Sequence, residues 1–117
     1  MPPEPRILLD ECLPELLYRD FPVETLAHSV KYAGFLGLKN GKLLAAARDR
    51  YDVIVTVDQA FENEQNIAYS NLSLITVEAG TQEIAVLRRF VPRIIDVARI
   101  IASGQVIRLS IEDLNVA

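Results

Sequence analysis

The chain contains three short apolar runs, and each of them leads to an acidic residue. The run "ILLD" ends at Asp10, "VIVTVD" ends at Asp58 and "LITVE" ends at Glu78. Short runs rich in β-branched residues are typical of strands that are buried on both faces of a parallel sheet. Parallel strands need crossover connections, which helices on both faces usually supply. The runs therefore predict an α/β chain with a mainly parallel sheet.

The segments between these runs carry helical spacing or turn residues. Apolar spacing in "LPELLYRDF" predicts a helix, and "KLLAAARDRY", with Asn40 placed to cap its start, predicts a second one. The longest helical pattern, "TQEIAVLRRFVPRIIDVARIIASG", contains Pro92 as a kink or break and ends at Gly104. "VETLAH" and "QVIRLS" predict two more strands, and "SVKYAGFLGLKNG" predicts a loop. Together these elements predict a three-layer α/β/α sandwich with right-handed crossovers.

The length and composition fit one domain. The chain has 117 residues, of which 50% are hydrophobic and 24% are charged, and a chain of this size buries a single core. We expect residues 1–5 to be a disordered leader, residues 6–110 to be the domain and residues 111–117 to be a tail. No apolar run approaches the roughly 20 residues of a membrane span. The chain has one cysteine, Cys12, so it cannot form an internal disulfide, and we expect a cytoplasmic, non-membrane protein.

The net charge of −4 restricts the classes of nucleic-acid binder that remain open. A protein that coats nucleic acid by bulk electrostatics needs a basic surface, which this composition does not provide. A nuclease whose acids hold a cation is compatible with the same net charge, because the cation meets the phosphate.

The strand-end acids are candidates for a metal site. Ligands of open parallel sheets bind outside the carboxyl ends of the strands, so Asp10, Asp58 and Glu78 converge with Glu11 if their strands are neighbours. Like charges repel unless a cation lies among them, and oxygen ligands favour Mg²⁺ or Mn²⁺ over zinc. Such an ion generates a hydroxide and stabilises a phosphodiester transition state. The alternative is that each acid starts a turn or caps a helix, and the turn "EAGTQ" makes this alternative strongest for Glu78.

Three segments resemble a known family. "ILLDECLP", "GLKNGKLL" and "DVIVTVDQAF" are similar to the PIN-like domains of the small toxin nucleases found in bacterial toxin–antitoxin pairs. In that family a first strand leads into Asp-Glu-x-Leu-Pro, and a later strand ends in Thr-x-Asp followed by Phe, here Thr56, Asp58 and Phe61. The similarity covers about residues 6–110. It implies a PIN-type α/β/α fold, a Mg²⁺-dependent ribonuclease and, in the toxin context, a small antitoxin protein as partner.

The resemblance also implies roles for particular residues. Asp10 and Asp58 match the family's metal ligands, and Glu11 matches a further acid of the catalytic site. Two positions depart from the family pattern, because the helix start "LKNGK" has no carboxylate and Ala60 stands where an acid is often found. Two functions therefore stay open. One is a ribonuclease that hydrolyses RNA with metal-activated water, and the other is a catalytically degenerate domain that binds protein or RNA.

Other residues are candidates for secondary roles at the same edge. Lys39, Asn40 and Lys42 are placed to contact RNA phosphates or the strand-end acids, with ordinary surface positions as the alternative. Candidate extra acids are Glu62, Glu64 and Glu78. The apolar residues between positions 32 and 38 allow a homodimer.

The sequence argues against a phosphoacceptor receiver domain, which also uses strand-end acids. Such a domain needs a lysine at the end of its last strand. The corresponding segment here is "QVIRLS", which contains Arg108 and no lysine.

Overall fold

A computed structural model describes residues 4–63, 67 and 70–115 of the chain. At its centre is a five-stranded, all-parallel sheet of order β2-β1-β3-β4-β5. The strands are β1 Ile7–Leu9, β2 His28–Ser29, β3 Val53–Thr56, β4 Ser73–Glu78 and β5 Val106–Ser110. The α-helices of the described residues are α1 Val30–Ala33, α2 Asn40–Ala47, α3 Ile84–Leu87 and α4 Val91–Ile100. Short 3₁₀ turns cover Glu15–Asp20, Val23–Thr25, Gln59–Asn63, Arg88–Phe90 and Ile111–Asn115.

Helices cover both faces of the sheet, which confirms the predicted three-layer α/β/α architecture. Leu9 and Val55 belong to a core that α3, α4 and the Glu15–Asp20 turn complete. Leu8 and Ile54 belong to a second core on the opposite face, against α1 and α2. Because alternate residues of each central strand are buried in different cores, both faces of these strands carry apolar side chains.

The segment before β1 contacts α4, and the segment after β5 contacts the end of that strand. Glu4 accepts two hydrogen bonds of 2.9 Å from Arg99 of α4, and residues 1–3 of the predicted leader lie outside the described residues. The predicted tail begins with the Ile111–Asn115 turn, where Asp113 accepts a 2.7 Å hydrogen bond from the backbone N–H of Ser110. No helix in the described part of the chain is long and apolar enough to cross a membrane.

The prediction of a strand over "VETLAH" is wrong. Val23–Thr25 form a 3₁₀ turn after Pro22, and the Thr25 hydroxyl donates a 2.7 Å hydrogen bond to the carbonyl of Pro22. Leu26 then adopts the left-handed conformation (φ 47°), which ends any extended path. Only His28 and Ser29 pair with β1, so β2 is a two-residue strand at the edge of the sheet.

The prediction of an uninterrupted loop after β2 is also wrong, because the loop contains the single-turn helix α1. The Ser29 hydroxyl accepts a 3.0 Å hydrogen bond from the backbone of Tyr32 and caps the start. Gly34 ends the helix in the left-handed conformation (φ 85°), and the N–H of Phe35 bonds to the carbonyl of Val30. The serine and glycine are the sequence signals for this helix.

Two other helix starts differ from their predictions. Residues 15–20 form a 3₁₀ turn instead of an α-helix. Lys39, not Asn40, is the residue that precedes α2, and its side chain makes no capping bond; Asn40 is the first helical residue.

Pro92 lies in the first turn of α4, where its missing N–H is not needed. The long helical pattern is broken just before it, as predicted.

Candidate functional site

A row of polar side chains crosses the carboxyl edge of the sheet. Asp10 follows β1, Thr56 and Thr76 are register partners on β3 and β4, and Arg108 is the partner of Thr76 on β5. The first three each lie two residues after a side chain of the α1 and α2 core. Because side chains alternate along a strand, the whole row lies on the α2 face of the sheet.

The ends of β1 and β3 form the switch point of the fold. The chain leaves β1 for β2 on one side of it and returns to β3 on the other side. In open parallel sheets such a point creates a crevice where ligands bind. Asp10 and Thr56 lie there, and the Thr56 hydroxyl donates a 2.7 Å hydrogen bond to Oδ2 of Asp10.

Asp10 is a half-buried carboxylate in a fixed orientation. Its backbone N–H extends the ladder of hydrogen bonds to the carbonyl of Val55 at 2.9 Å. Its Oδ1 accepts a 2.9 Å hydrogen bond from the N–H of Glu11, and its Oδ2 accepts the bond from Thr56. Since each carboxylate oxygen has two lone-pair sites, both oxygens can still accept a further ligand.

Cys12 is a neutral donor beside this carboxylate. Its Sγ lies 3.2 Å from the hydroxyl of Thr56 and 3.5 Å from Oδ2 of Asp10. Burial raises the pKa of the thiol, against the weaker opposing effect of the bond to Thr56. Because Thr56 gives its only proton to Asp10, the proton between the thiol and Thr56 belongs to Cys12. This environment favours the thiol over the nucleophilic thiolate.

Asp58 is exposed and starts the turn that follows β3. Its N–H donates a 3.0 Å hydrogen bond to the Thr56 hydroxyl, and its Oδ1 accepts one of 3.0 Å from the N–H of Ala60. Its carbonyl accepts the N–H of Phe61 at 3.1 Å. Asp58 therefore has the turn-starting role that the sequence left open. The Thr56 hydroxyl links the two acids, because it accepts from the backbone N–H of Asp58 and donates to the carboxylate of Asp10.

Glu11 lies at the mouth of a pocket of about 180 Å³ next to Asp10. Its side chain is exposed, and the pocket is also lined by Ser29 and Lys31. Lys39, Asn40 and Lys42 are not among the residues that line this pocket. The structure thus places Glu11 at the pocket of Asp10 but does not bring Lys39 or Lys42 into this pocket.

Glu62 occupies the edge next to β4, where an arginine neutralises it. Its Oε2 accepts a 2.6 Å hydrogen bond from the Thr76 hydroxyl. Arg108 donates to both oxygens of Glu62, at 2.9 and 3.0 Å, and also lies 3.8 Å from the exposed Glu78. The hydrogen bonds from Arg108 hold the pKa of Glu62 below its usual range, against the opposing effect of partial burial.

Sequence reasoning named the acids of this network but did not assign Thr56, Thr76 and Arg108 the role of holding them. The signal was present, because Thr56 and Thr76 are each a hydroxyl residue that directly follows apolar residues of a predicted strand. Both hydroxyls hold an acid from another segment, Asp10 in the first case and Glu62 in the second. Glu64, which was predicted as an extra acid, lies outside the described residues.

A metal site built entirely by protein ligands is not found among residues 4–63, 67 and 70–115. No group of three or more His, Cys, Asp or Glu side chains there lies close enough to hold an ion. The oxygen-only set at the switch point, Asp10 with Asp58, fits a different kind of site. Mg²⁺ commonly takes one or two carboxylates from the protein and completes its shell with water and substrate phosphate.

Comparisons of the chain with models of protein families, with curated proteins and with solved structures give no match. The similarity to PIN-like domains therefore stays a prediction from the motifs of the sequence.

Proposed function

We propose that the chain is a PIN-like, Mg²⁺- or Mn²⁺-dependent ribonuclease that cleaves RNA at the carboxyl ends of β1 and β3. The observation that carries this proposal is the hydroxyl of Thr56, which bonds to Oδ2 of Asp10 and to the N–H of Asp58 at the switch point of the sheet. We further propose a cytoplasmic toxin component with a small antitoxin protein as its partner, as the resemblance implies.

In this proposal Asp10 and Asp58 hold the ion, and Glu11 is an additional acid at the same edge. When bound, the ion would supply a hydroxide near neutral pH and stabilise the charge that develops on a phosphodiester. Thr56 keeps the Asp10 carboxylate in one rotamer, so that ion binding requires little reorganisation. Cys12, whose thiol donates to the Thr56 hydroxyl 3.2 Å away, stays protonated beside the same carboxylate and does not compete as a nucleophile.

A second candidate is a catalytically degenerate PIN-like domain that binds RNA or protein without cleavage. The specific observation in its favour is the pairing of Glu62 and Glu78 with Arg108. While they are paired with Arg108, Glu62 and Glu78 are not available as additional metal ligands beside Asp10 and Asp58. In a degenerate domain, the guanidinium charge of Arg108 would neutralise these acids, as a metal ion does in an active nuclease.

A cleavage assay separates the two candidates. Wild type, Asp10→Asn and Asp58→Asn would be incubated with a labelled single-stranded RNA in Mg²⁺, in Mn²⁺ or in chelator. We expect wild type to cleave only with the ion. We expect Asp10→Asn to lose more than the 10–100-fold typical of residues outside the metal's first ligands, because it removes a ligand itself.

The matched control is Asp96→Asn, which removes an exposed acid on α4 and is expected to leave cleavage unchanged. Equal rates of RNA cleavage by wild type and Asp10→Asn would refute the proposed ribonuclease site. RNA that is bound by wild type but not cleaved under any condition would favour the binding module.

A further inference from the structure

A groove of about 470 Å³ runs along the open side of β2. The 3₁₀ turns Glu15–Asp20 and Val23–Thr25, β2 and the start of α1 enclose it. Its volume is in the range of about 300–1,000 Å³ that is usual for ligand sites. The walls are apolar but exposed, with Tyr32 73% and Val23 85% accessible. Contiguous exposed apolar surface of this kind marks an interaction site.

The groove adjoins the pocket that Asp10 lines. Glu15 and Ser29 line both of them. A ligand that extends along the groove past Glu15 and Ser29 therefore comes next to the pocket of Asp10. This proximity relates the groove to the acids at the switch point.

Two aromatic residues of the groove, Tyr18 and Tyr32, each have a cation as the neighbouring residue in the sequence. One pair is Tyr18 and Arg19, whose guanidinium lies 5.9 Å from the centre of the Tyr18 ring. The other pair is Lys31 and Tyr32, with Lys31 at the pocket of Asp10. The amine of Lys31 lies 3.7 Å from Glu15 in an exposed ion pair. Such a pair contributes little stability, so a phosphate can replace the carboxylate.

We propose that this groove binds single-stranded RNA, with bases stacked on Tyr18 and Tyr32 and phosphates next to Arg19 and Lys31. Aromatic stacking combined with cations that follow the backbone is how proteins bind single strands. The inference rests on the proposed function, since it assigns the part of the RNA that leads to Asp10. An apolar peptide or a second copy of the chain would use the apolar walls without needing the two cations.

The test measures binding without cleavage. The Asp10→Asn protein would be titrated into a labelled single-stranded RNA of about 8 nucleotides, within the usual site size, and followed by fluorescence anisotropy. In this background Tyr32→Ala is expected to lower affinity by roughly 5- to 150-fold, the loss of one stacked base. Tyr32→Phe, which keeps the ring, is expected to retain affinity. Lys31→Gln is expected to reduce the slope of log K against log salt by about 0.7.

Two exposed residues that line neither pocket serve as controls. Ile100→Ala removes an 80% exposed side chain at the end of α4, and Arg89→Gln removes a cation. Both are expected to bind RNA as the parent protein does. Equal affinities for Tyr32→Ala and Tyr32→Phe would overturn the inference, and so would an Arg89→Gln effect as large as that of Lys31→Gln. A change of oligomeric state in Tyr32→Ala with unchanged RNA affinity would identify the groove as a contact between copies and also overturn it.

The two proposals fail in different ways. If wild type cleaves RNA and Tyr32→Ala cleaves and binds equally well, the groove assignment fails and the ribonuclease stands. If Asp10→Asn binds RNA through Tyr32 but wild type does not cleave, the groove assignment stands and the ribonuclease fails.

Discussion

Thr56 is the residue on which the geometry of the candidate site depends. Its side chain is fully buried, and its hydroxyl contacts Asp10, Cys12 and the N–H of Asp58. A hydroxyl has one proton to donate, and here that proton goes to the carboxylate, which is the strongest acceptor of the three. One buried side chain thus determines both the orientation of Asp10 and the start of the turn at Asp58.

Leu26 allows a prediction about local strain. It lies in the groove wall with a left-handed backbone (φ 47°) and is 50% exposed. This conformation costs a residue with a Cβ about 1–2 kcal/mol, whereas glycine adopts it freely. We expect Leu26→Gly to raise the free energy of unfolding by up to about 1 kcal/mol, after the loss of some apolar contact. Leu26→Ala, which keeps the Cβ, is the control in urea denaturation. A Leu26→Gly protein less stable than Leu26→Ala would contradict this account.

At the level of elements, the hydrophobic pattern predicts some strands well and others poorly. β3 and β4 were recognised because both of their faces are buried, so that each contains a run of apolar and β-branched residues. β2 was not recognised, because two residues give no periodicity and its position depends on the turn before it. α1 was missed for a similar reason, since a single turn is too short for helical spacing to be visible.

The Arg108–Glu62 pair connects β5 to the Gln59–Asn63 turn and gives a pH-dependent prediction. The pKa of Glu62 is lowered in the folded state, so its contribution to stability is present above the unfolded value of about 4.3 and is lost as pH falls further. We expect Arg108→Gln to reduce the free energy of unfolding at pH 7 by about 0.5–1 kcal/mol, because the arginine is half exposed.

Urea denaturation at neutral pH and at about pH 3.5, below the unfolded value, checks this prediction. We expect the difference between wild type and Arg108→Gln to shrink in acid. Arg89→Gln is the matched control, because it removes an exposed arginine from the Arg88–Phe90 turn. If the difference in the free energy of unfolding between wild type and Arg108→Gln were the same at both pH values, the lowered pKa of Glu62 would not be due to Arg108.

At the level of the whole molecule, the position of Asp10 and Asp58 at one edge of the sheet could be predicted, because the carboxyl ends of parallel strands share one edge. Their connection through Thr56 could not, since it depends on the register between β1 and β3. The pairing of Glu62 with Arg108 could not be predicted from the sequence either. Arg108 lies 46 residues further along the chain, and the pair forms only when the 59–63 turn folds over β4 and β5.

The central claim is that the switch point at Asp10, and not the neighbouring edge at Glu62, holds a divalent ion. Titration of Mn²⁺ into wild type, Asp10→Asn and Glu62→Gln, followed by electron paramagnetic resonance of the free ion, tests it directly. We expect wild type and Glu62→Gln to bind Mn²⁺ in the millimolar range and Asp10→Asn to lose this binding. The absence of binding in wild type, or binding that Asp10→Asn retains, would contradict the claim.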